Sequence, residues 1–372
     1  MPLEFTPSPG LSLGVEMELQ VVDPATLDLT PAAPRLFERL AGDPQVKPEL
    51  FQSMVEVCTG ICANTADARR DLSAVVERLK KACAAEGVAL AANGSHPFAK
   101  HRERLVYPAE RYARLIDRNA WIARRLMVFG LHVHLGMPSG DRAAQVINGL
   151  LWHMPHLLGL SASSPFWQGS DTGLASSRIT IFEALPTAGH PCTFGSWVEF
   201  ESLYDAMKSS RAVDSVKDIW WDIRPHPDFG TVEVRICDGL PTLTETLALV
   251  ALAHALAAKL MQIVDERGRI TPPSYWVLRE NKWRASRWGL DADLVLDETG
   301  RTAPLRGELE RLCSELEPIA QEQGGAAEFA GLAALMARPS YARQRATFGE
   351  KGSLEAVARL LQEEFAADRP LG

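Results

Sequence analysis

GLHVHLG, residues 130–136, places His132 and His134 at a spacing of two inside an apolar run, in a chain that has only nine histidines. On a strand, side chains at i and i+2 share one face roughly 7 Å apart, whereas on a helix they diverge by about 200°. The stretch has Val133 at its centre, Phe129 before it, and Gly130 and Gly136 at its bounds, which favours a strand. Two imidazoles then share a face. An isolated HxH is equally well explained by one histidine packed in the core and the other facing water, so neighbouring patterns decide the reading.

The same spacing recurs. LGVEMELQVVD (13–23) carries Glu16 and Glu18 at i and i+2, and GTVEVRICD (230–238) carries Glu233 and Arg235 likewise, with Asp238 at the strand's end. QSMVEVCTG (52–60) adds Glu56, a weaker signal because it is single. The competing reading is three amphipathic strands whose polar faces look at water, as antiparallel sheets allow. Such faces usually carry Thr, Lys, Gln and Ser, and these carry metal-ligand types. Burying unpaired carboxylates costs several kcal/mol, so a face of this composition calls for cations. Oxygen-rich ligation with an imidazole suits Mg²⁺ or Mn²⁺ better than structural zinc. Arg178, Arg224 and Arg235 supply guanidinium groups suited to carboxylate or phosphate, and together they predict an anion pocket. Neither GxxxxGK[ST] nor GxGxxG occurs, so a nucleotide would be held through metal and sheet.

The rest of the chain sets the frame. At 372 residues, 46% hydrophobic and 23% charged, it has the composition of a soluble globular protein with a large core. A formal charge of −8 and a pI near 5.7 argue against a nucleic-acid surface. The opening MPLEFTPSPG has neither the positive region nor the apolar core of a signal peptide, so a cytoplasmic location is expected. LALVALAHALAAKLMQIV (247–264) is interrupted by His254 and Lys259, and reads as a buried helix rather than a membrane span. The six cysteines are scattered without a CxxC pair, which makes a zinc site or disulfide framework a poor reading.

No repeat or linker divides the chain, so a single domain over 1–372 is expected. Strands are predicted at 11–22, 54–60, 88–93, in the histidine segment, and at 218–224 and 231–237. Helices are predicted at 65–87, 110–126, 141–159, 194–208, 243–266, 303–322 and 353–366, with a Gly/Ser-rich loop over 161–180. Strands and helices do not alternate regularly, which indicates an α+β fold with an antiparallel sheet.

Six stretches, LGVEMELQVVDPATLDL, LHVHLGMPSGDRA, LSASSPFWQGSDTGLASSR, LPTAG, IWWDIRPHPDFGTVEVRICD and ENKWRASRWGLDA, are together similar to the bacterial carboxylate-amine ligases of the glutamate–cysteine ligase type 2 family, over about residues 11–350. The resemblance implies a glutamine-synthetase-like antiparallel saddle flanked by helices, with ATP and two or three Mg²⁺ (or Mn²⁺) on the sheet face. It implies Glu16, Glu18, Glu56, His132 and Glu233 as metal ligands, with His134 orienting a neighbour. Arg235 would meet the transferred phosphoryl group, Arg178 and Arg224 would grip substrate carboxylate or phosphate, and Lys282, with Asn281 and Arg284, would reach the nucleotide pocket. Trp220 and Trp221 would pack the sheet.

The implied reaction joins a carboxylate, by analogy the γ-carboxylate of glutamate, to an amino-acid amine such as cysteine through an acyl phosphate. The expected partners are these small molecules, with neither nucleic acid nor membrane, and a homodimer is the default assembly. Two other readings compete: an HxH metallohydrolase in which both histidines hold zinc or iron, and an ATP-binding protein of the same fold that has lost turnover.

Overall fold

The computed structural model describes residues 3–371. Seven strands form its main sheet: β1 (Leu13–Val22), β2 (Val46–Pro48), β3 (Met54–Cys58), β4 (Ala89–Ala91), β5 (Gly130–Gly136), β6 (Ile223–His226) and β7 (Thr231–Asp238). They run in the order β6-β7-β5-β1-β3-β2, and β4 takes the far end of the β1 edge whose near end pairs with β5. Every pairing is antiparallel, as the irregular succession of elements predicts.

Alternation along these strands separates two chemistries. Val15, Met17 and Leu19 of β1, Leu131, Val133 and Leu135 of β5, and Val232 and Val234 of β7 are all buried in one core. That core is closed by the helices α1 (Thr65–Ala85), α2 (Gly140–Ser161) and α3 (Leu243–Arg267). Each such aliphatic side chain removed from water contributes about 1.5–3 kcal/mol, so the register of the central strands is strongly fixed. A one-residue slip would exchange the apolar row for the charged one.

From Leu247 to Ala258, α3 is buried on all sides and correspondingly apolar. It is long and apolar enough to cross a membrane by composition, yet 78% of its most apolar window is buried within the protein. Thr242 caps its start by accepting from the Glu245 N–H at 3.0 Å, and Gly268 ends it in the left-handed region at φ 75°.

Several elements differ from the sequence expectation. The expected strand over 218–224 is divided: Trp220–Trp221 pairs in parallel with Ala188–Gly189, and β6 starts afresh at Ile223. Trp221 is buried in the core, as expected of a packing residue. The Gly/Ser-rich loop contains a short helix, Arg178–Phe182. Helix α4 (Tyr275–Trp288) has no counterpart in the sequence reading, because its buried side includes Asn281, Lys282 and Ser286 and so lacks an apolar stripe.

Between Val234 and Cys237 the pairing of β7 with β5 shifts register. Such a bulge disrupts the ladder and re-aims the side chains around it. Beyond it, Asp238 stands opposite Gly130, where its carboxylate accepts from the Ser163 N–H and from the hydroxyls of Ser164 and Ser176 at 2.7–2.9 Å. The serine-rich loop is thereby fastened to the end of β7.

Candidate active site

Register explains how the charged side chains meet. Glu16 lies directly opposite His132 on one side and Cys58 on the other, and Glu18 lies opposite Glu56. Glu233 stands between His134 and Arg224, and Lys47 stands across from Glu56. Period-two alternation sends all of them to the face away from the helices. This face is not open to water in the way a simple amphipathic sheet would be: Glu233 is 1% exposed, His132 3%, His134 6% and Glu56 8%.

The side chains form a continuous row. His132 Nδ1 is 3.2 Å from Glu16 Oε2, and His134 Nε2 is 3.7 Å from Glu16 Oε1. Lys47 Nζ is 3.3 Å from Glu56 and 3.8 Å from Glu16. At the other end, Arg224 Nε donates to Glu233 Oε2 at 2.8 Å, and Arg235 Nη1 pairs with Glu233 Oε1. Arg235 therefore does lie beside Glu233 on the same strand face.

Three overlapping groups of ligand atoms, each within 4.8 Å of one another, occupy this row: Glu16, His134 and Glu233; Glu16, Glu56 and His132; and Glu18, Glu49 and Glu56. The five ligands expected from the sequence all take part. Two more join them. Glu49, which follows β2, was not anticipated, and His134 stands as a ligand candidate in its own right. Its Nδ1 is bonded to Thr231 Oγ1 at 3.0 Å, leaving a buried Nε2 with no hydrogen-bond partner among the described residues. A histidine held through one nitrogen presents the other to a cation.

The electrostatics of the row fit divalent cations. Burial and the charge of Glu16 push the Glu56 carboxyl up to about 7 despite Lys47, and burial with the charge of Glu56 pushes Glu49 well above the carboxylate range. Burial also pushes Glu16 upward, but the His132 and His134 imidazoles beside it outweigh this and hold Glu16 below its ordinary value. The cations bonded into this acidic end among the described residues are Lys47 and, 4.0 Å from Glu49, Arg111. A carboxylate cluster with so little positive charge is completed by cations, and an oxygen-dominated donor set with an imidazole suits Mg²⁺ or Mn²⁺.

A pH dependence follows. A carboxyl raised in the fold from an ordinary 4.5 to about 7 leaves the folded protein holding more protons than the unfolded chain, so Glu56 costs stability progressively as pH rises through that window. Cation binding replaces that proton. The rise in unfolding temperature caused by excess Mg²⁺ is expected to be larger at pH 8 than at pH 5.5. Thermal unfolding across pH, with and without Mg²⁺, checks this; an equal rise at both values would mean that Glu56 does not take part.

The two remaining arginines are deeply placed. Arg224 donates to the carbonyls of Ile219 and Lys217 at 2.7 and 3.2 Å besides holding Glu233. Arg178 is 2% exposed, and its guanidinium donates to the carbonyls of Arg235 and Ile236 within the β7 bulge at 3.3–3.5 Å. Gly130 provides its space, since a Cβ there would stand 2.3 Å from Arg178 Nη2. Arg178 thus supports the backbone that carries Arg235. The sequence reading, which set it against a substrate anion, had no means of seeing the bulge.

Lys282 is likewise engaged by protein groups. Its ammonium lies 2.6 Å from both Glu183 Oε1 and Asp222 Oδ2, with His190 Nδ1 3.3 Å from Glu183. This second cluster lies beside an open cleft of about 960 Å³, walled by the short Arg178–Phe182 helix and by α4. Glu183, His190 and Asp222 went unread because they are separated in sequence and share no spacing pattern. Asn281 meanwhile bonds the backbone of Val295 through both ends of its amide, and Arg284 pairs with Glu280.

The HxH hydrolase reading has no support in this geometry. His132 and His134 fall in different ligand groups, and among the described residues no group brings two imidazoles to one position.

Comparison with known proteins extends the picture. The family model described as "Glutamate-cysteine ligase family 2 (GCS2)" matches residues 12–359. A Bdellovibrio bacteriovorus protein named "Putative glutamate--cysteine ligase 2" is 46% identical over 369 residues, covering 99% of this chain and 98% of its own. A Thermobifida fusca protein of the same name is 44% identical, covering 100% of this chain and 94% of its own. Among solved structures, a glutamate–cysteine ligase from Francisella tularensis in complex with AMP aligns with 99% of this chain and 90% of its own, at TM-score 0.69 and 11% identity. A bifunctional glutathione synthetase from Pasteurella multocida aligns with 96% of this chain and 52% of its own, at TM-score 0.70 and 18% identity. At these identities the two structures establish the fold.

Proposed function

Because this chain belongs to the glutamate–cysteine ligase family 2, we propose that its sheet face performs ATP-dependent joining of a carboxylate to an amine, through an acyl phosphate and with release of ADP. The observation that carries the proposal is the row of three linked carboxylate-rich groups ending at Glu233 and Arg235. We place the enzyme in the cytoplasm, where ATP and amino acids are available.

A carboxylate is a poor acylating agent because its leaving group would be oxide. Phosphorylation of one carboxylate oxygen by the γ-phosphoryl group supplies a better one, and the amine then attacks the carbonyl carbon and phosphate leaves. Divalent cations, when bound, would neutralise the triphosphate and the charge that develops during transfer. Glu16, Glu18, Glu49, Glu56, Glu233, His132 and His134 are the residues that would hold them. Arg235, fixed by Glu233 and by the bulge that Arg178 supports, presents its planar fork where the phosphoryl group passes. Arg224 balances the second oxygen of Glu233 and keeps that carboxylate in position. Burial of the row strengthens each of these interactions by excluding water. By family analogy the carboxylate is the γ-carboxylate of glutamate and the amine that of an amino acid.

The direct test is a pairwise amino-acid screen for ADP release with Mg²⁺, with products identified by mass. Stoichiometric ADP, phosphate and amide are expected for at least one pair. Mg²⁺- and ATP-dependent hydrolysis without amide would sink the ligase reading. Binding provides an independent check: ATP affinity is expected to be lost in excess chelator, because triphosphate would otherwise face a row of carboxylates. Calorimetry showing equal affinity with and without free Mg²⁺ would refute the cation-bridged site. ATP bound with Mg²⁺ but never cleaved would support the degenerate alternative.

A further inference from the structure

The second cluster is in register with the catalytic row. Arg224 pairs with Glu233 across β6 and β7, and the next inter-strand bond runs from the Arg235 N–H to the Asp222 carbonyl at 2.8 Å. Asp222 therefore stands opposite Arg235, on the same face by alternation, at the end remote from the linked carboxylate groups. Phe182, whose ring lies 5.9 Å from the Arg235 guanidinium carbon, precedes Glu183 on the same side. The cleft beyond Glu183, His190 and Lys282 thus adjoins the position assigned to the phosphoryl group.

Its chemistry is that of a zwitterion site. Glu183 and Asp222 give two negative charges to the one positive charge of Lys282. Asp222 Oδ1 and His190 Nε2 are buried and have no hydrogen-bond partner among the described residues, and the His190 side chain is only 9% exposed. Farther out, Arg279 lines the cleft and forms no ion pair with a carboxylate among the described residues. Trp276 and Trp283, 47% and 48% exposed, stand two turns apart on α4 and give the cleft a flat apolar wall. Exposed aromatic rings beside a charged recess are a binding surface for a ligand with both characters.

We propose that this cleft binds the amine substrate, and that this substrate is an α-amino acid with an aromatic or bulky apolar side chain rather than one as small as cysteine. Its ammonium meets Glu183 beside Asp222, its carboxylate meets Arg279, and its side chain lies on Trp283 and Trp276. The assignment of the bound molecule as acceptor rests on the ligase reading; the binding site itself does not. A thiol-selective pocket would close around a small side chain, whereas this cleft, at about 960 Å³, leaves one unenclosed.

The test is equilibrium binding by calorimetry without ATP, using L-phenylalanine, phenethylamine, 3-phenylpropionate, L-cysteine and L-glutamate as probes. L-phenylalanine is expected to bind more tightly than L-cysteine. Glu183→Gln should weaken L-phenylalanine and phenethylamine on the order of tenfold, the equivalent of one charge-assisted hydrogen bond, and leave 3-phenylpropionate unchanged. Arg279→Gln should do the converse, weakening 3-phenylpropionate and leaving phenethylamine unchanged. Trp283→Ala should weaken all three. Glu310→Gln, at an exposed carboxylate on the Leu305–Glu322 helix and outside the lining of the cleft, is the control and should change none. These side chains lie at the surface or on its margin, and thermal unfolding of each variant confirms folding. No measurable binding of L-phenylalanine, or binding indifferent to Glu183→Gln, overturns the proposal. If L-glutamate alone binds and responds to Glu183→Gln, the cleft takes the ammonium of the carboxylate substrate and the acceptor assignment is overturned. Failure of the ligase reading appears instead as amide-free turnover with these binding results intact.

Discussion

Glu16→Gln is expected to lower amide formation on the order of a thousandfold, the upper end of what one electrostatic element of an active site contributes. Glu16 is the carboxylate shared by two of the three ligand groups, between His132 and His134, so a neutral amide weakens both positions together. The variant should nevertheless fold. The charge of Glu16 is a principal reason the Glu56 carboxyl is raised, and removing it relieves that repulsion. That relief offsets only part of what is lost, because His132 and His134 hold the Glu16 carboxylate below its ordinary value and its charge therefore stabilises the fold at pH 8. Without divalent cations the unfolding temperature should fall modestly, and the increment given by Mg²⁺ should shrink. Turnover within tenfold of the parent, with normal Mg²⁺ response, would remove Glu16 from the site.

Arg235→Lys separates ligase chemistry from nucleotide binding. Lysine keeps the charge but loses the planar fork, so turnover should fall about a hundredfold, or about 3 kcal/mol, while ATP affinity changes much less. Arg235 already pairs with Glu233 and lies over Phe182, and its Nε has no hydrogen-bond partner among the described residues. That leaves donors for a passing oxyanion. If the guanidinium serves only to neutralise Glu233, the substitution will lower unfolding temperature or cation affinity and leave turnover per folded, cation-loaded enzyme unchanged. Measuring stability, ATP affinity and ADP release on one preparation distinguishes the two.

The features legible in the sequence are those written at a fixed period. Glu16 and Glu18, His132 and His134, and Glu233 and Arg235 each lie two apart on a strand, and alternation alone sends each pair to one face. The antiparallel α+β architecture followed from irregular element order, and the family from six motifs. Other features depend on long-range packing. Glu49 follows a three-residue strand and gains its neighbours only when β2 docks on β3. Glu183, His190, Asp222 and Lys282 come from four separate segments and carry no common spacing. α4 conceals its own period, since a buried lysine and a buried asparagine occupy positions where a helix pattern is sought in leucine and valine. Arg178 was legible as an important arginine but not in its role, because a bulge two residues long leaves no trace in hydropathy.

The bulge in β7 also bears on which changes of chain length this enzyme can tolerate. Deleting one residue between Val234 and Cys237 would restore an unbroken ladder and leave Cys237 opposite Leu131 and Asp238 opposite Gly130, so the change would fall on the bulge alone. Asp238 would keep its three donors from the serine loop, but one of the two carbonyls held by Arg178, those of Arg235 and Ile236, would be gone, and with it the local geometry that aims the Arg235 side chain. Homologous chains of different lengths should therefore differ in their surface loops and share the irregularity at this point, so the bulge can serve as a fixed marker when their sequences are aligned.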